Sequence, residues 1–227
     1  MKVLILSLFQ KFKFALSYLF KNEFDEKKFL KSVLEEGSTV IDVGSNVGSF
    51  IDQIIRVNTN LKIYSIDPNK DLIHFQQKKF KKLFNIAYSN LAISDKNKTE
   101  FFYIRNSLSH SSLTKYHHES LVNKITKEVK VKVVTLEEFL ISNKIAEVTL
   151  LKIDTEGNEL NILNNSVRLI NNGLIKFIKV ECNKDLILEI FNYCQNNSLE
   201  ILGFSNIFYL NNKFEMCDIY LKNTNKI

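Results

Sequence analysis

Hydrophobic and polar positions follow two alternating spacings along most of the chain, one typical of β-strands and one typical of amphipathic helices. Apolar runs rich in β-branched residues predict strands at residues 39–43, 61–66, 85–93, 148–153 and 175–180. Helical patterns follow most of these runs, at residues 50–57, at 70–83 and at 185–194, and a further one follows the strand at 148–153 and runs to about residue 170. This alternation predicts right-handed βαβ units and a parallel sheet with helices on both faces.

Two pairs of strand-like runs depart from that alternation. Residues 100–104 and 129–134 predict an added pair, and Thr135 to Glu138 have the form of a capping box that opens a short helix. The runs at 199–210 and 214–221 leave no room for a crossover helix between them, so they predict an antiparallel hairpin at one edge. The predicted fold class is therefore α/β, with a mostly parallel twisted sheet and a C-terminal antiparallel hairpin.

The N-terminal residues predict a helix ahead of the first strand. Between residues 3 and 20 the apolar positions nearly surround a helix, which is typical of a helix packed on the domain or on a partner. The apolar run is shorter than the ~20 residues that a membrane span requires, and weak contact with a membrane surface is the less favoured interpretation. For 227 residues we therefore expect an N-terminal helical extension at 1–36 and one domain at 37–227.

The charge balance is basic, and lysine supplies nearly all of it. Lys and Arg total 31 against 25 Asp and Glu, and the arginines are Arg56, Arg105 and Arg168. Base-specific readers of nucleic acids depend on the bidentate guanidinium group, so this composition predicts no nucleic acid partner. The chain has three cysteines and no CxxC pair, which predicts reduced thiols and a cytoplasmic location, with the inner face of the membrane as the alternative.

Carboxylates stand at the end of each predicted strand of the parallel sheet. The strand ends carry, in chain order, Asp42, Asp67, Asp95, Asp154 with Glu156, and Glu181. Ligands of parallel α/β sheets bind at the carboxyl ends of the strands, so these side chains predict a ligand site. An acidic edge of this kind disfavours a non-catalytic basic binding protein.

The loop after the first strand carries Gly44, Asn46 and Gly48. We expect Gly44 to permit the sharp turn and Gly48 to let the start of the helix approach a ligand. The loop lacks the Gly-Lys-Ser/Thr of a phosphate-binding P-loop. Asn46 and Ser49 replace the later glycines of a dinucleotide fingerprint, which disfavours an NAD(P)-type Rossmann oxidoreductase, the alternative enzyme class.

The acidic residues around this loop suit a cofactor that carries positive charge and no phosphate. Asp42, just before the turn, repels pyrophosphate and favours an ammonium group such as that of S-adenosylmethionine. Asp67, about 20 positions after the glycines, is placed to accept hydrogen bonds from both ribose hydroxyls. Asp95 is placed to reach the adenine amino group, although its neighbours also form an ordinary turn sequence.

Six segments of the chain, in order, resemble the FkbM family of S-adenosylmethionine-dependent methyltransferases: VIDVGSNVGSF, YSIDPN, NLAISDKNKTEFF, VKVVTLEEFL, LLKIDTEGNELNILNN and IKFIKVEC. The resemblance covers roughly residues 39–182 and is loosest between 106 and 128. One departure is Asp67, where many relatives carry Glu. The resemblance implies the class I methyltransferase fold and, commonly, O-methylation of sugars or sugar-containing metabolites.

The fourth strand end predicts the chemistry of such a transfer. Lys152, Asp154 and Glu156 stand at alternate positions, so a continuing strand period would point all three to one side. A sugar hydroxyl is a weak nucleophile, so a base that takes its proton would help the transfer by ~10²–10⁴. We expect Glu156 or Asp154 to be that base, Lys152 to fix the carboxylate, Asp154 also to contact the cofactor, and Glu181 to orient the acceptor. The alternative is a structural salt-bridge cluster.

Three further expectations concern the same edge. The carboxylates, together with Asn183, could hold Mg²⁺, but we rank a metal second to a purely protein-based site. The polar and aromatic segment 106–128 predicts a flap over the acceptor pocket. His110, within that segment, is a less favoured candidate for the base.

Overall fold

A computed structural model describes residues 24–106, 111–113 and 124–225, and its centre is a seven-stranded sheet. In spatial order the strands are β3 (Ile86–Ser89), β2 (Lys62–Ile66), β1 (Thr39–Val43), β7 (Val148–Ile153), β8 (Ile175–Asn183), β10 (Lys213–Asn223) and β9 (Leu199–Leu210). Neighbours from β3 to β8 are parallel, whereas β10 runs antiparallel to both β8 and β9. The predicted α/β class and the C-terminal hairpin are therefore confirmed.

Helices cover both faces because successive strand residues point in opposite directions. The helices are α1 (Glu26–Val33), α2 (Ser49–Ile55), α3 (Lys70–Lys79), α4 (Leu136–Ser142), α5 (Glu159–Asn165), α6 (Val167–Asn171) and α7 (Ile187–Asn196). Val40 and Leu150 pack with α1 and α2 on one face. Ile41 and Leu151 pack with α4 to α7 on the other. Among the described helices, none is long and apolar enough to cross a membrane.

The run predicted as one strand at 85–93 is two strands in two different sheets. After β3 the side chain of Asn90 donates to the carbonyl oxygens of Asp67 and Pro68, at 3.1 and 2.8 Å, which turns the chain away from the main sheet. The next strand, β4 (Ala92–Ile93), joins β6 (Ile125–Val134) and β5 (Lys98–Arg105) in a three-stranded sheet. The added strand pair is thus confirmed, and the single third strand was wrong.

The helix predicted to run to about residue 170 is also broken into two. The Ser166 hydroxyl donates to the carbonyl oxygen of Ile162 at 2.7 Å, and such back-bonding bends helices. Only one of the two reciprocal hydrogen bonds of the predicted capping box forms: the Thr135 side chain accepts from the Glu138 N–H at 3.1 Å. Asn97, rather than Glu138, accepts from the Thr135 N–H at 3.0 Å.

The described part of the N-terminal extension packs on the domain. Phe29 and Leu30 of α1 are buried in the same apolar cluster as Val40 of β1. Phe24 stacks on Tyr220 with ring centres 4.5 Å apart, and a Cβ at Gly203 would lie 2.4 Å from the Phe24 ring. Gly203 therefore leaves room for an aromatic ring. The predicted helix at 3–20 lies outside the described residues.

The three cysteines are where the composition predicted them. Cys182, Cys194 and Cys217 are all buried and free, and burial raises the pKa of each thiol. They are inert apolar side chains of the core.

Candidate active site

A cavity of about 160 Å³ opens at the carboxyl ends of β1, β2 and β7, beside the three-stranded sheet. Asp67 and Pro68 line one end, and Asp154, Glu156 and Glu181 line the other. Apolar side chains form the walls between them: Val43, Ile66, Leu72, Leu91, Ile93, Phe102 and Leu113. We call this space the cofactor cavity. Six of the predicted site residues, from segments far apart in the sequence, line it: Gly44, Asn46, Asp67, Asp154, Glu156 and Glu181.

The loop after β1 brings the backbone against the end of β7. Gly44 has φ 76°, and a Cβ there would lie 1.7 Å from the carbonyl oxygen of Asp154. Asn46, with φ 50°, donates its N–H to Asp67 Oδ2 at 2.8 Å and accepts from Gln76 Nε2 at 2.7 Å. The loop is therefore held to both neighbouring strand ends before any ligand arrives.

Gly48 makes a close contact within the fold. It precedes α2 with φ 75°, and a Cβ there would lie 2.6 Å from the Phe80 ring. The structure does not bring Gly48 to the wall of the cofactor cavity, and the contact that it shows to require glycine is the one with Phe80.

Asp67 is buried, and its carboxylate already accepts two hydrogen bonds from backbone N–H groups. Its Oδ1 accepts from the Asn69 N–H at 2.7 Å, and its Oδ2 accepts from Asn46 as above. Burial raises the pKa of Asp67 to about 6, although these two backbone N–H groups pull it down. A carboxylate offers about four acceptor positions, so two remain for hydroxyl groups that enter the cavity.

Asp42 lies behind the cavity and contacts Lys152. Asp42 is fully buried, and Lys152 Nζ lies 3.0 Å from its Oδ1, 3.1 Å from Asp154 Oδ2 and 3.2 Å from the Gly44 carbonyl oxygen. Among the described residues Asp42 accepts no hydrogen bond besides this ion pair. The structure thus does not bring Asp42 to the wall of the cofactor cavity, where contact with an ammonium group was expected, and buries its carboxylate against Lys152 instead.

The two carboxylates around Lys152 control its charge. Burial alone would lower the pKa of Lys152, but Asp154 and Asp42 raise it above its ordinary value. Burial raises the pKa of Asp42, and Lys152 opposes that rise. An ammonium group has three N–H donors, and Asp42, Asp154 and Gly44 account for all three. Lys152 therefore positions Asp154.

Three carboxylates converge at the far end of the cavity. Asp154, Glu156 and Glu181 each offer an oxygen atom within 4.8 Å of the others. Burial, then Asp154 and Glu159, raise the pKa of Glu156 to about 8. Burial, then Asp154 and Glu156, raise the pKa of Glu181 to about 10. Since three close carboxylates cannot all ionise at neutral pH, this end of the cavity holds protons that can be exchanged.

Two predicted residues lie away from this cluster. Asp95 follows β4 into the small sheet, where its carboxylate accepts from Ser94 Oγ at 3.1 Å and lies 3.6 Å from Lys98 Nζ. It does not line the cofactor cavity. Asn183, the expected metal ligand, accepts instead from the backbone N–H groups of Asp185 and Leu186 at 3.0 and 3.1 Å.

Sequence reasoning missed the residues that hold the β7 loop. Glu159 is buried, and its carboxylate accepts from the Thr155 N–H at 2.7 Å, the Thr155 hydroxyl at 2.8 Å and the Gly157 N–H at 3.0 Å. These contacts fix Glu156 in the left-handed region, with φ 59°. Asn158 ties the loop to β4 through the carbonyl oxygen of Ile93 at 2.9 Å. The signal was the polar pair Asn158-Glu159 at the start of a helix, where the backbone N–H groups are unpaired.

Part of the predicted flap lies against the cavity. Ser111 and Leu113 line its mouth, together with Phe102 of β5. Ser111 Oγ accepts from the Arg105 N–H at 3.1 Å. His110, the alternative base, lies outside the described residues.

Solved structures share this fold at low sequence identity. TrmK of M. capricolum, solved with S-adenosylhomocysteine, has a TM-score of 0.52 and 11% identity over 89% of this chain and 69% of that one. An rRNA methylase from Streptococcus thermophilus has a TM-score of 0.51 and 11% identity over 87% and 93%. A putative rRNA methylase from Clostridium thermocellum has a TM-score of 0.50 and 11% identity over 86% and 92%. The chain thus has the class I methyltransferase fold.

The family follows from the sequence match. No curated protein matches the chain. The family model described as the methyltransferase FkbM domain matches residues 42–202, from the buried Asp42 to the C-terminal hairpin. That span is well over half of the 227 residues and contains the loop of Gly44, the buried Asp67 and the three converging carboxylates. The chain therefore belongs to the FkbM family of methyltransferases.

Proposed function

We propose that this protein transfers a methyl group from S-adenosylmethionine to a hydroxyl group of a sugar or glycan-type acceptor. The observation that carries this proposal is the cofactor cavity, in which Asp67 and the carboxylates of Asp154, Glu156 and Glu181 stand at opposite ends. One end suits a ribose and the other suits a reacting centre with positive charge. TrmK, which has the same fold, was solved with the cofactor product S-adenosylhomocysteine.

The residues of the cavity fit this cofactor. Asp67 would hold the ribose hydroxyls with its two remaining acceptor positions. The apolar walls beside it, which include Leu91 and Ile93, suit a purine ring. The acidic end attracts a sulfonium and gains nothing from a phosphate. Asp42 and Lys152 contribute from behind by holding Asp154 at the wall, and Asp95 would reach an adenine only from outside it.

The acidic end supplies the acid–base chemistry. When bound, S-adenosylmethionine supplies a methyl group whose bond to sulfur breaks as the bond to the acceptor oxygen forms, which leaves a neutral thioether. Glu156 would take the hydroxyl proton, and its pKa of about 8 suits a base that works near neutral pH. Asp154 is less suited to that role because Lys152 is bound to it at 3.1 Å. Glu181 would orient the acceptor through a hydrogen bond.

A divalent metal remains the second alternative at this end. The carboxylate oxygens of Asp154, Glu156 and Glu181 are close enough to bind one hard cation together. Asn183, the fourth expected ligand, is engaged with the backbone of its own turn. We therefore favour the site without a metal.

The methyl acceptor that we propose differs from the RNA named in the descriptions of two similar solved structures. The structures from Streptococcus thermophilus and Clostridium thermocellum are described as rRNA methylases, whereas we propose a saccharide or other small hydroxyl acceptor and no nucleic acid. The three arginines of the whole chain support that choice. A cytoplasmic location belongs to the same proposal, with weak membrane contact through the helix predicted at residues 3–20 as the less favoured alternative.

The test is a set of calorimetric titrations followed by a transfer assay. S-adenosylhomocysteine should bind the full chain, whereas NADH and an RNA oligonucleotide should not. Methyl transfer from labelled S-adenosylmethionine should then appear in the saccharide fraction of a cell extract and not in its RNA. Binding of NADH alone, or label in RNA alone, would overturn the proposal.

A further inference from the structure

A second cavity opens beside the first, between α2 and the C-terminal hairpin. It has a volume of about 290 Å³ and shares Gly44, Asn46, Asp154 and Glu181 with the cofactor cavity. Its remaining walls come from the loop after β1, the start of α2, Lys152 of β7, Lys179 of β8 and the bulged part of the hairpin. We call it the ion-pair cavity.

Two buried lysines form the floor of the ion-pair cavity. Lys152 and Lys179 pair in register on β7 and β8, so two ammonium groups lie side by side. Lys152 is bound to Asp42 and Asp154, as described above. Lys179 Nζ lies 2.8 Å from Glu26 Oε1 and 3.0 Å from Asp218 Oδ2.

These pairs leave the cavity with an excess of negative charge. Each lysine has two carboxylate partners, so four carboxylates face two ammonium groups. Burial would lower the pKa of Lys179, but Asp218 and Glu26 raise it above its ordinary value, so Lys179 keeps its charge. An anion that enters the cavity would meet cations that are already neutralised. The floor therefore selects against phosphate and carboxylate groups.

The rim of the cavity carries amide side chains. Asn206 has φ 51° and lies in a β-bulge, because Ser205 pairs with Asp218 and Phe208 pairs with Met216. Bulges of this kind redirect a side chain, and Asn206 Nδ2 donates to Asp218 Oδ2 at 2.6 Å.

Gln53 of α2 lies across the rim from the bulge. Its amide makes no hydrogen bond to any residue within the described ranges, and it lines the cavity. Amides and carboxylates together offer many acceptors and a few donors, which matches a ligand rich in hydroxyl groups.

We propose that the ion-pair cavity is the acceptor subsite and that it takes an uncharged, hydroxyl-rich ring such as a hexose unit, to the exclusion of phosphorylated acceptors. This inference rests on the proposed function, because it needs the first cavity to hold the cofactor. The two cavities meet at Asp154 and Glu181. An acceptor oxygen must lie about 3 Å from the transferred methyl carbon, and the junction of the cavities is where the two substrates can meet in line.

The experiment uses the full chain saturated with S-adenosylhomocysteine and measures binding by saturation-transfer NMR. The probes are the methyl glycosides of glucose, galactose, mannose and rhamnose, each compared with the phosphate of the same hexose. We expect at least one glycoside to bind at millimolar concentration and its phosphate to bind at least about tenfold more weakly, which is ~1.4 kcal/mol.

Two variants locate the binding. Gln53→Ala and Asn206→Ala should each weaken the binding of the glycoside by about tenfold and leave the affinity for S-adenosylhomocysteine unchanged. Gln77→Ala, an exposed glutamine on α3 that lines neither cavity, is the matched control and should change neither affinity. Urea unfolding of each variant shows that the fold is intact.

The outcomes separate this inference from the proposed function. Failure of S-adenosylhomocysteine to bind the unaltered chain would overturn the proposed function itself. If it binds, then equal or tighter binding of the phosphates, or no binding of any glycoside, would overturn the acceptor subsite alone. A loss of S-adenosylhomocysteine affinity in Gln53→Ala or Asn206→Ala would assign the ion-pair cavity to the amino-acid end of the cofactor and would also overturn it.

Discussion

The Lys152 ammonium neutralises a fully buried carboxylate, and its removal is the sharpest test of how the site is held together. Lys152→Met keeps most of the apolar stem and removes the charge from beside Asp42 and Asp154. Removing one partner of a buried ion pair costs about 3–5 kcal/mol, because the other charge is left without compensation. For a domain of this size the expected fall in Tm is roughly 6–20 °C.

The pH dependence of that loss has a definite sign. Without Lys152, the main opposition to the rise that burial imposes on the pKa of Asp42 is lost, and only the weaker effect of Lys179 remains. A group whose pKa is raised in the folded state destabilises the fold as pH rises above its unfolded value of 3.8. The difference in stability between Lys152→Met and the unaltered chain should therefore be smaller at pH 5 than at pH 8.

Urea unfolding at both pH values measures the effect, and two further variants control it. Adding Asp42→Asn to Lys152→Met removes the stranded charge and should recover a large part of the loss. Lys176→Met removes a surface pair, in which Lys176 lies 2.7 Å from Glu147 with side chains 40% and 47% exposed, and should cost at most about 1 kcal/mol. If Lys152→Met were no less stable than Lys176→Met, or if Asp42→Asn gave no recovery, the reasoning would be refuted.

Four further predictions follow from the same site. Asp67→Asn should weaken the binding of S-adenosylhomocysteine roughly 10–100-fold in calorimetry, because hydrogen bonds to a charged group contribute about 1.5–3 kcal/mol. Asp71→Asn, at an exposed position, should leave the affinity unchanged, and equal affinities of the two variants would contradict the ribose assignment. Glu156→Gln should keep the affinity for S-adenosylhomocysteine and lose most of the turnover. It should also lose the rise in rate that accompanies the loss of the Glu156 proton near pH 8, and full activity would exclude Glu156 as the base. EDTA should leave turnover unchanged, and a loss that Mg²⁺ restores would instead support the metal alternative. Gly48→Ala should destabilise the fold by about 1–2 kcal/mol in urea, since φ is 75° and the Cβ would press on Phe80, but leave cofactor affinity intact.

The carboxyl edge was predictable because a parallel sheet brings strand ends together whatever their distance in sequence. Asp67 and Asp154 lie just beyond the ends of β2 and β7, Glu181 lies two residues before the end of β8, and the structure places all three in one cavity. Asp42 lies one residue before the end of β1, and its register opposite Lys152 directs it into the fold. A difference of a single residue along a strand decides between the cavity and the core, because side chains alternate.

The third strand could not be divided from its pattern alone. Residues 86–93 are apolar or small at most positions, so one long run and two short strands have the same local pattern. What divides them is the pair of hydrogen bonds from Asn90 to the carbonyl oxygens after β2, which is a tertiary contact. The position of Asp95 depends on that division, since β4 carries it into the small sheet.

The carboxylate partners of the two buried lysines could not be predicted from the local sequence pattern. Strand period places Lys152 and Lys179 on one face, where two unpaired ammonium groups would make the fold impossible. Their partners come from Asp42, Glu26 and Asp218, and Glu26 lies 153 positions from Lys179 in the sequence. Apolar residues of similar volume would often stabilise such a face better than ion pairs do, so stability alone does not account for the two pairs. Their place in the floor of the ion-pair cavity, with Asp154 and Asp218 held at its wall, accounts for them as the framework that keeps these carboxylates in position.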